Sequence, residues 1–262
     1  MTRSLADRTT TQAAPDGRDD HQLGWTIALV VVVALGAAGA ILLHRNGHNQ
    51  GDDFALYLRQ ARSIFDGDPA QVVSDNRFSV LNSGGAFSPI AYPWVFPLLL
   101  SPFVKWWGLD YDRLKLVEVA CFCAWIVLVH GIVRRRAGRL LALAVAAVVA
   151  TAPALMAHTD QLLSEFPHAL ALGVFIWWFD RVKLRDDLIA APTSRLVTLG
   201  VLGALAYNVR RESVVLIGAI LIVTACGLTP MLTKGGTPEC LTLHRCENGC
   251  WPESCTSQTI RS

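Results

Sequence analysis

Long uncharged runs alternate along this chain with short charged knots, and the runs have the length of helices rather than of strands. Trp25 to Leu43 contains no charged residue. That stretch approaches the ~20 apolar residues an α-helix needs to cross the hydrocarbon core of a bilayer. A cleaved signal peptide would have a shorter apolar region ending at small residues. Here Ile41-Leu42-Leu43 continues past the Ala/Gly stretch, so the run reads as an uncleaved anchor. Further spans are predicted at about 114–133, 140–157, 164–180, 196–208 and 213–228. Residues 1–24 are polar and rich in Asp, Arg, Thr and Gln, and read as a disordered tail.

A long polar segment, His44 to Ser88, follows the first span and opens a predicted outside loop over 44–113. Within it Phe54, Leu58, Ala61 and Phe65 fall at steps of four, three and four, which predicts an amphipathic helix. Residues 88–107 are apolar too, but Pro89, Pro93, Pro97 and Pro102 punctuate them. Each proline removes a helical hydrogen bond and crowds the preceding turn. Trp94, Trp106 and Trp107 favour the headgroup region. The expectation is a broken interfacial segment that lies on or dips into the outer leaflet.

Arginines orient the scheme. Arg134, Arg135, Arg136 and Arg139 fill one connection, and Arg181, Lys183, Arg185 and Arg195 populate another. The positive-inside rule makes both cytoplasmic. Connection 158–163 has neither Lys nor Arg, as an outside loop should. The N-terminus is then inside, and 44–113, 158–163 and 208–212 are outside.

Composition agrees with this pattern. Hydrophobic residues make up 52% of the chain, charged residues 17%, and mean hydropathy is +0.39. Soluble domains carry roughly 25% charged residues. A net charge of +2 gives no reason to expect nucleic-acid binding. The fold class expected is an all-α integral membrane protein, a multi-helix bundle of about half a dozen embedded helices, in a bacterial plasma membrane.

Candidate chemistry sits at the predicted outer ends. Asp52 and Asp53 open the amphipathic helix. They can cap it and complement its dipole, or one can act as general base toward an acceptor hydroxyl. Glu165 stands at the mouth of an apolar run, where a helix start favours negative charge and where an ionisable group near membrane depth suggests function. Asn208-Val209-Arg210-Arg211-Glu212 interrupts two apolar runs. It is either a tight turn with snorkelling and paired arginines, or a two-arginine clamp for a phosphate.

Taken in order, these pieces resemble the polyprenol-phosphate-dependent glycosyltransferases of the GT-C superfamily, of the protein O-mannosyltransferase and aminoarabinose-transferase type. The likeness rests on Asp52-Asp53 after the first membrane helix, then Tyr57 and the small residues after it. It continues through Tyr92-Pro93-Trp94-Val95-Phe96-Pro97-Leu98-Leu99-Leu100-Ser101-Pro102, Ser164-Glu165, and Arg210 or Arg211. It covers about Trp25 to Gly227. The resemblance implies Asp52 as catalytic base and Asp53 as its acidic companion, although the family more often has Glu second, so the two roles are exchangeable. Tyr57, Glu165, Arg210 and Arg211 would then belong to the substrate site. The implied donor is a sugar on a polyprenyl phosphate, with the bilayer as the other partner and no cofactor or metal. Sugar and acceptor are left open.

Cys121 and Cys123 read as small buried hydrophobes of a helix. Cys240, Cys246, Cys250 and Cys255 crowd a tail, 229–262, whose spacings contain no Cys-x-x-Cys and so do not favour a zinc site. The Ala/Val/Leu/Arg character stops near Leu228. The expectation is a truncated chain with a non-native or unstructured tail, inactive by itself. Rival readings are a transporter or flippase with 196–228 as a broken helix, and a non-catalytic membrane fragment.

Overall fold

The computed structural model describes residues 18–48, 53–83, 89–182 and 192–216, with Gly218, Ala219 and Ile222. Among these residues every regular element is an α-helix: α1 (Arg18–Leu42), α2 (Asp53–Asp66), α3 (Pro69–Asn82), α4 (Val95–Trp107), α5 (Tyr111–Thr151), α6 (Pro153–His158), α7 (Glu165–Val182) and α8 (Thr193–Val209). Two are long and apolar enough to cross a membrane, α1 over Gln22–Leu42 and α5 over Tyr111–Thr151. The helix begins at Arg18, earlier than the polar composition suggested, and most of 213–228 and the Cys-rich tail lie outside the described residues.

α5 is two helices joined at Gly138. That residue holds φ 82°, ψ 176°, a conformation glycine adopts without Cβ penalty. On one straight helix Phe122 and Ala150 would stand about 42 Å apart. Instead they share a single packed cluster with Ile126, Ala146 and Phe166, so the chain reverses at the glycine. The second arm ends where Ala152 turns extended before Pro153, and α6 follows as a separate turn. The predicted run 140–157 is therefore interrupted rather than continuous.

Small residues set how closely the helices approach. A Cβ placed on Gly36 of α1 would stand 3.1 Å from Ala150, and one on Gly203 of α8 would stand 3.3 Å from Phe175 of α7. Ala142, Ala146 and Ala150 are each fully buried, one turn apart on the same face. Without larger side chains at these positions the helix backbones approach closely. Large apolar side chains point outward instead: Leu23, Val30, Leu35 and Leu42 of α1 all stay exposed.

α2 packs against α4. Its buried face carries Tyr57, Leu58 and Ala61, but Phe65 is 56% exposed, so the inward face is rotated from the one that periodicity suggested. α4 also departs from expectation. It runs through Pro102 as one helix, because Ser101 Oγ donates at 2.9 Å to the Leu98 carbonyl that the missing proline N–H leaves free. α3 starts conventionally, with Asp68 as N-cap accepting from Ala70 N at 2.8 Å and Pro69 in the first turn.

Candidate functional site

Four chain segments distant in sequence meet at one end of the helices. After α1, the backbone N–H of Arg45 donates to Asp160 Oδ1 at 2.9 Å and that of Gly47 to Asp112 Oδ1 at 3.1 Å. Lys115, fully buried, donates to Asp160 Oδ1 at 2.7 Å and to the Arg45 carbonyl at 2.6 Å. Burial pushes the Asp160 carboxyl up, but these donors together outweigh it and hold the group below its ordinary range. His48 Nε2 accepts from the Leu162 N–H at 3.1 Å while its ring stacks on Phe54 at 3.7 Å. This network fixes the connection just before Ser164 and Glu165 to the chain just before α2.

Beside it opens a cavity of about 160 Å³. Asp53 and Tyr57 reach it from α2, Ala91, Tyr92 and Pro93 from the approach to α4, Ser164 and Glu165 from the start of α7, and Arg210, Arg211 and Glu212 from the turn after α8. Five of the six residues singled out from the sequence, Asp53, Tyr57, Glu165, Arg210 and Arg211, thus line one space. The sixth, Asp52, lies outside the described residues.

Each wall is held by a specific contact. The Tyr92 hydroxyl donates to Asp53. Tyr57 Oη and Ser164 Oγ share a hydrogen bond at 3.1 Å, joining α2 to the start of α7. Burial pushes the Tyr57 hydroxyl up to about 12, so it stays protonated at neutral pH. Burial and then the bond to Asp53 raise Tyr92 as well. Both tyrosines therefore line the cavity as neutral phenols, with the Tyr92 proton given to Asp53.

Arg210 Nη1 donates to Glu165 Oε1 at 2.6 Å, and its Nε lies 3.3 Å from Glu212 Oε2. Burial disfavours the guanidinium charge, but these two carboxylates outweigh it and hold Arg210 charged. Arg211 is exposed and forms no ion pair among the described residues. The two arginines so differ: Arg210 is neutralised by its neighbours, and Arg211 keeps an uncompensated charge among the described residues. A clamp needs unspent donors.

Sequence reasoning passed over two residues that shape the site. Gln60 is fully buried; its Nε2 donates to the Tyr92 carbonyl at 3.0 Å and its Oε1 accepts the Tyr92 N–H at 3.1 Å. A polar residue on the inward face of an amphipathic helix was the signal. Glu118 is buried within α5, its Oε1 without a hydrogen-bond partner, and it feels the charge of Glu165, whose Oε2 is likewise buried and unpartnered. Two charged residues, Lys115 and Glu118, inside the apolar run 114–133 were the sign to follow.

His168 Nε2 and Ser213 Oγ, 2.7 Å apart, tie α7 to the segment following the arginine turn. No group of three or more His, Cys, Asp or Glu among the described residues is arranged to hold a metal ion. Comparison with protein-family models, with curated proteins and with solved structures finds no match.

Proposed function

We propose that the chain is a membrane-embedded glycosyltransferase, or the site-bearing portion of one, that moves a sugar from a polyprenyl-phosphate donor to an acceptor at the outer surface of a bilayer. The observation that carries this reading is the convergence of Asp53, Tyr57, Glu165, Arg210 and Arg211 on one cavity at the end of an all-helical unit. They come from segments far apart in sequence.

The bilayer part of the reading has its own support. Connections assigned outside gather at the cavity end through Lys115, Asp160, Glu165 and Arg210. Connections assigned inside gather at the other, where Arg136 pairs with Asp180 and Arg181 lies over Trp177 at 4.0 Å. The exposed Leu and Val side chains of α1 and of the second arm of α5 suit a lipid surroundings better than water.

In this scheme a carboxylate of the Asp52–Asp53 pair takes the proton of the acceptor hydroxyl, whose oxygen attacks the anomeric carbon. The bond from that carbon to the phosphate oxygen breaks, and the lipid phosphate leaves with the electron pair. Arg211 stabilises the charge that develops on it, with Arg210 held behind it by Glu165 and Glu212.

Donor binding tests the reading without requiring turnover. The purified chain in detergent should bind a polyprenyl-phosphate sugar, and Arg211→Ala should weaken that binding while Asp53→Asn should not. Where transfer is measurable, Asp53→Asn or Asp52→Asn should lower it by ~10²–10⁴-fold. Donor affinity unaffected by Arg211→Ala, or full transfer in both Asp variants, sinks the assignment. Cysteines introduced at Ser74 and Ala137 should label from opposite faces of the membrane.

A further inference from the structure

A second cavity, of about 80 Å³, lies at the opposite end, between α1 and the break in α5. Trp25 and Thr26 line it from α1, and His130, Arg134 and Arg139 from the two sides of Gly138. His130 and Arg134 stand one helical turn apart on the same face. The positive φ of Gly138 turns the chain so that Arg139 comes back toward them.

The four arginines of this turn are not equivalent. Arg136 is paired with Asp180 at 2.5 Å, and Arg135 lies over the Trp177 ring at 5.0 Å. Arg134 and Arg139 have neither a carboxylate nor an aromatic partner among the described residues. His130 is only 9% exposed, and its ring makes no hydrogen bond to the described residues. Two guanidinium groups brought to one cavity without a counter-ion among the described residues repel each other, and an anion seated between them would reverse the sign of that interaction. The buried imidazole adds a further polar contact on the cavity floor.

We propose that this cavity binds the phosphate of an anionic phospholipid headgroup in the leaflet on that side. The inference rests on the bilayer part of the reading above and not on the glycosyl transfer. Trp25 lines the cavity, and indoles favour headgroup depth. Leu23, Ile27, Val30 and Val31 of the same helix remain exposed and offer an apolar path for an acyl chain. Arginines supply forked donors that match a phosphate's oxygens. Basic pockets between helices on the cytoplasmic side are suited to lipid headgroups in this way.

The test titrates the purified full chain in detergent with phosphatidylglycerol, phosphatidylcholine and inorganic phosphate, reading retained lipid by native mass spectrometry and thermal stability in parallel. Phosphatidylglycerol should be retained and should raise the melting temperature, and phosphatidylcholine should do neither. Arg134→Gln with Arg139→Gln should weaken phosphatidylglycerol binding by about 30-fold. Arg135→Gln, which alters only the contact with Trp177, should leave it unchanged. Should the double variant fold poorly, Arg139→Lys keeps the charge and should keep the binding. Equal affinity in the native chain and the double variant overturns the proposal. Stabilisation by inorganic phosphate matching that by phosphatidylglycerol overturns the lipid assignment in favour of a free anion. A chain that binds donor in a bilayer yet shows no headgroup preference refutes this inference alone; one that stays soluble without detergent refutes the bilayer reading beneath it.

Discussion

Arg210 Nη1 donates to Glu165 Oε1 at 2.6 Å, closing the end of α8 on the start of α7. Glu165 Oε2 is buried without a partner among the described residues, so there its carboxylate rests on that one hydrogen bond. Arg210→Ala should therefore destabilise the chain. Each side chain is about a third exposed, at 36% and 37%, which screens the pair. A loss of roughly 1 kcal/mol follows, toward the lower end for an unsatisfied buried group. Thermal melting of Arg210→Ala, Glu165→Ala and the double variant measures it. The double variant should lose less than the sum of the singles; strict additivity would mean the two side chains are not coupled.

Gln60 offers a test of positioning. Gln60→Leu removes both hydrogen bonds to the Tyr92 backbone and leaves that N–H and carbonyl without them. The expected loss is about 2–3 kcal/mol, the cost of buried polar groups left unpaired. Tyr92, which bonds to Asp53, should also become more mobile, visible as faster exchange of its amide hydrogen. Unchanged exchange there would show that the α4 approach is held by packing alone.

Ser101 and Pro102 should be coupled. Ser101→Ala leaves the Leu98 carbonyl unsatisfied beside the proline, a cost of about 1 kcal/mol. In a Pro102→Ala background the new backbone N–H can take that carbonyl, and the same serine substitution should then cost little. An equal cost in both backgrounds would refute the compensation.

Acid should loosen the site end first. His48 accepts a backbone hydrogen bond through Nε2, which requires an unprotonated nitrogen there. Burial first, and then the charge of Lys115, lower its pKa below the ordinary 6.5, with Asp160 opposing; burial also lowers His44. With the folded value below the unfolded one, the unfolded chain binds the proton more readily between them. The neutral-ring stability is thus fully present above about pH 6.5 and is lost as pH falls through the folded value. Melting temperature against pH should drop below that point, and His48→Gln should flatten part of the drop. A profile identical to the native one would remove His48 as a contributor.

Sequence alone determined where the long apolar helices lie and where much of the candidate chemistry concentrates. Apolar runs of helical length dictate α1, both arms of α5, α7 and α8, because nothing but a helix pairs the backbone of such a run within itself. Glu165, Arg210 and Arg211 were legible because charged groups beside apolar runs are costly without a reason, Asp53 because it opens an amphipathic helix, and Tyr57 only through the family resemblance. What those residues do to one another was not legible. Only the folded chain decided that Arg210 is spent on Glu165 and Glu212 while Arg211 has no ion pair among the described residues, because both arginines look alike in a turn and only distance separates them. The tertiary structure also decided that α4 continues through Pro102, since the rescue comes from a side-chain hydroxyl that no proline rule counts. It likewise set the inward face of α2, where contact with α4 took Tyr57 and Gln60 inside and left Phe65 out. Periodicity fixes how far apart inward positions lie; the neighbour that covers them fixes which ones they are.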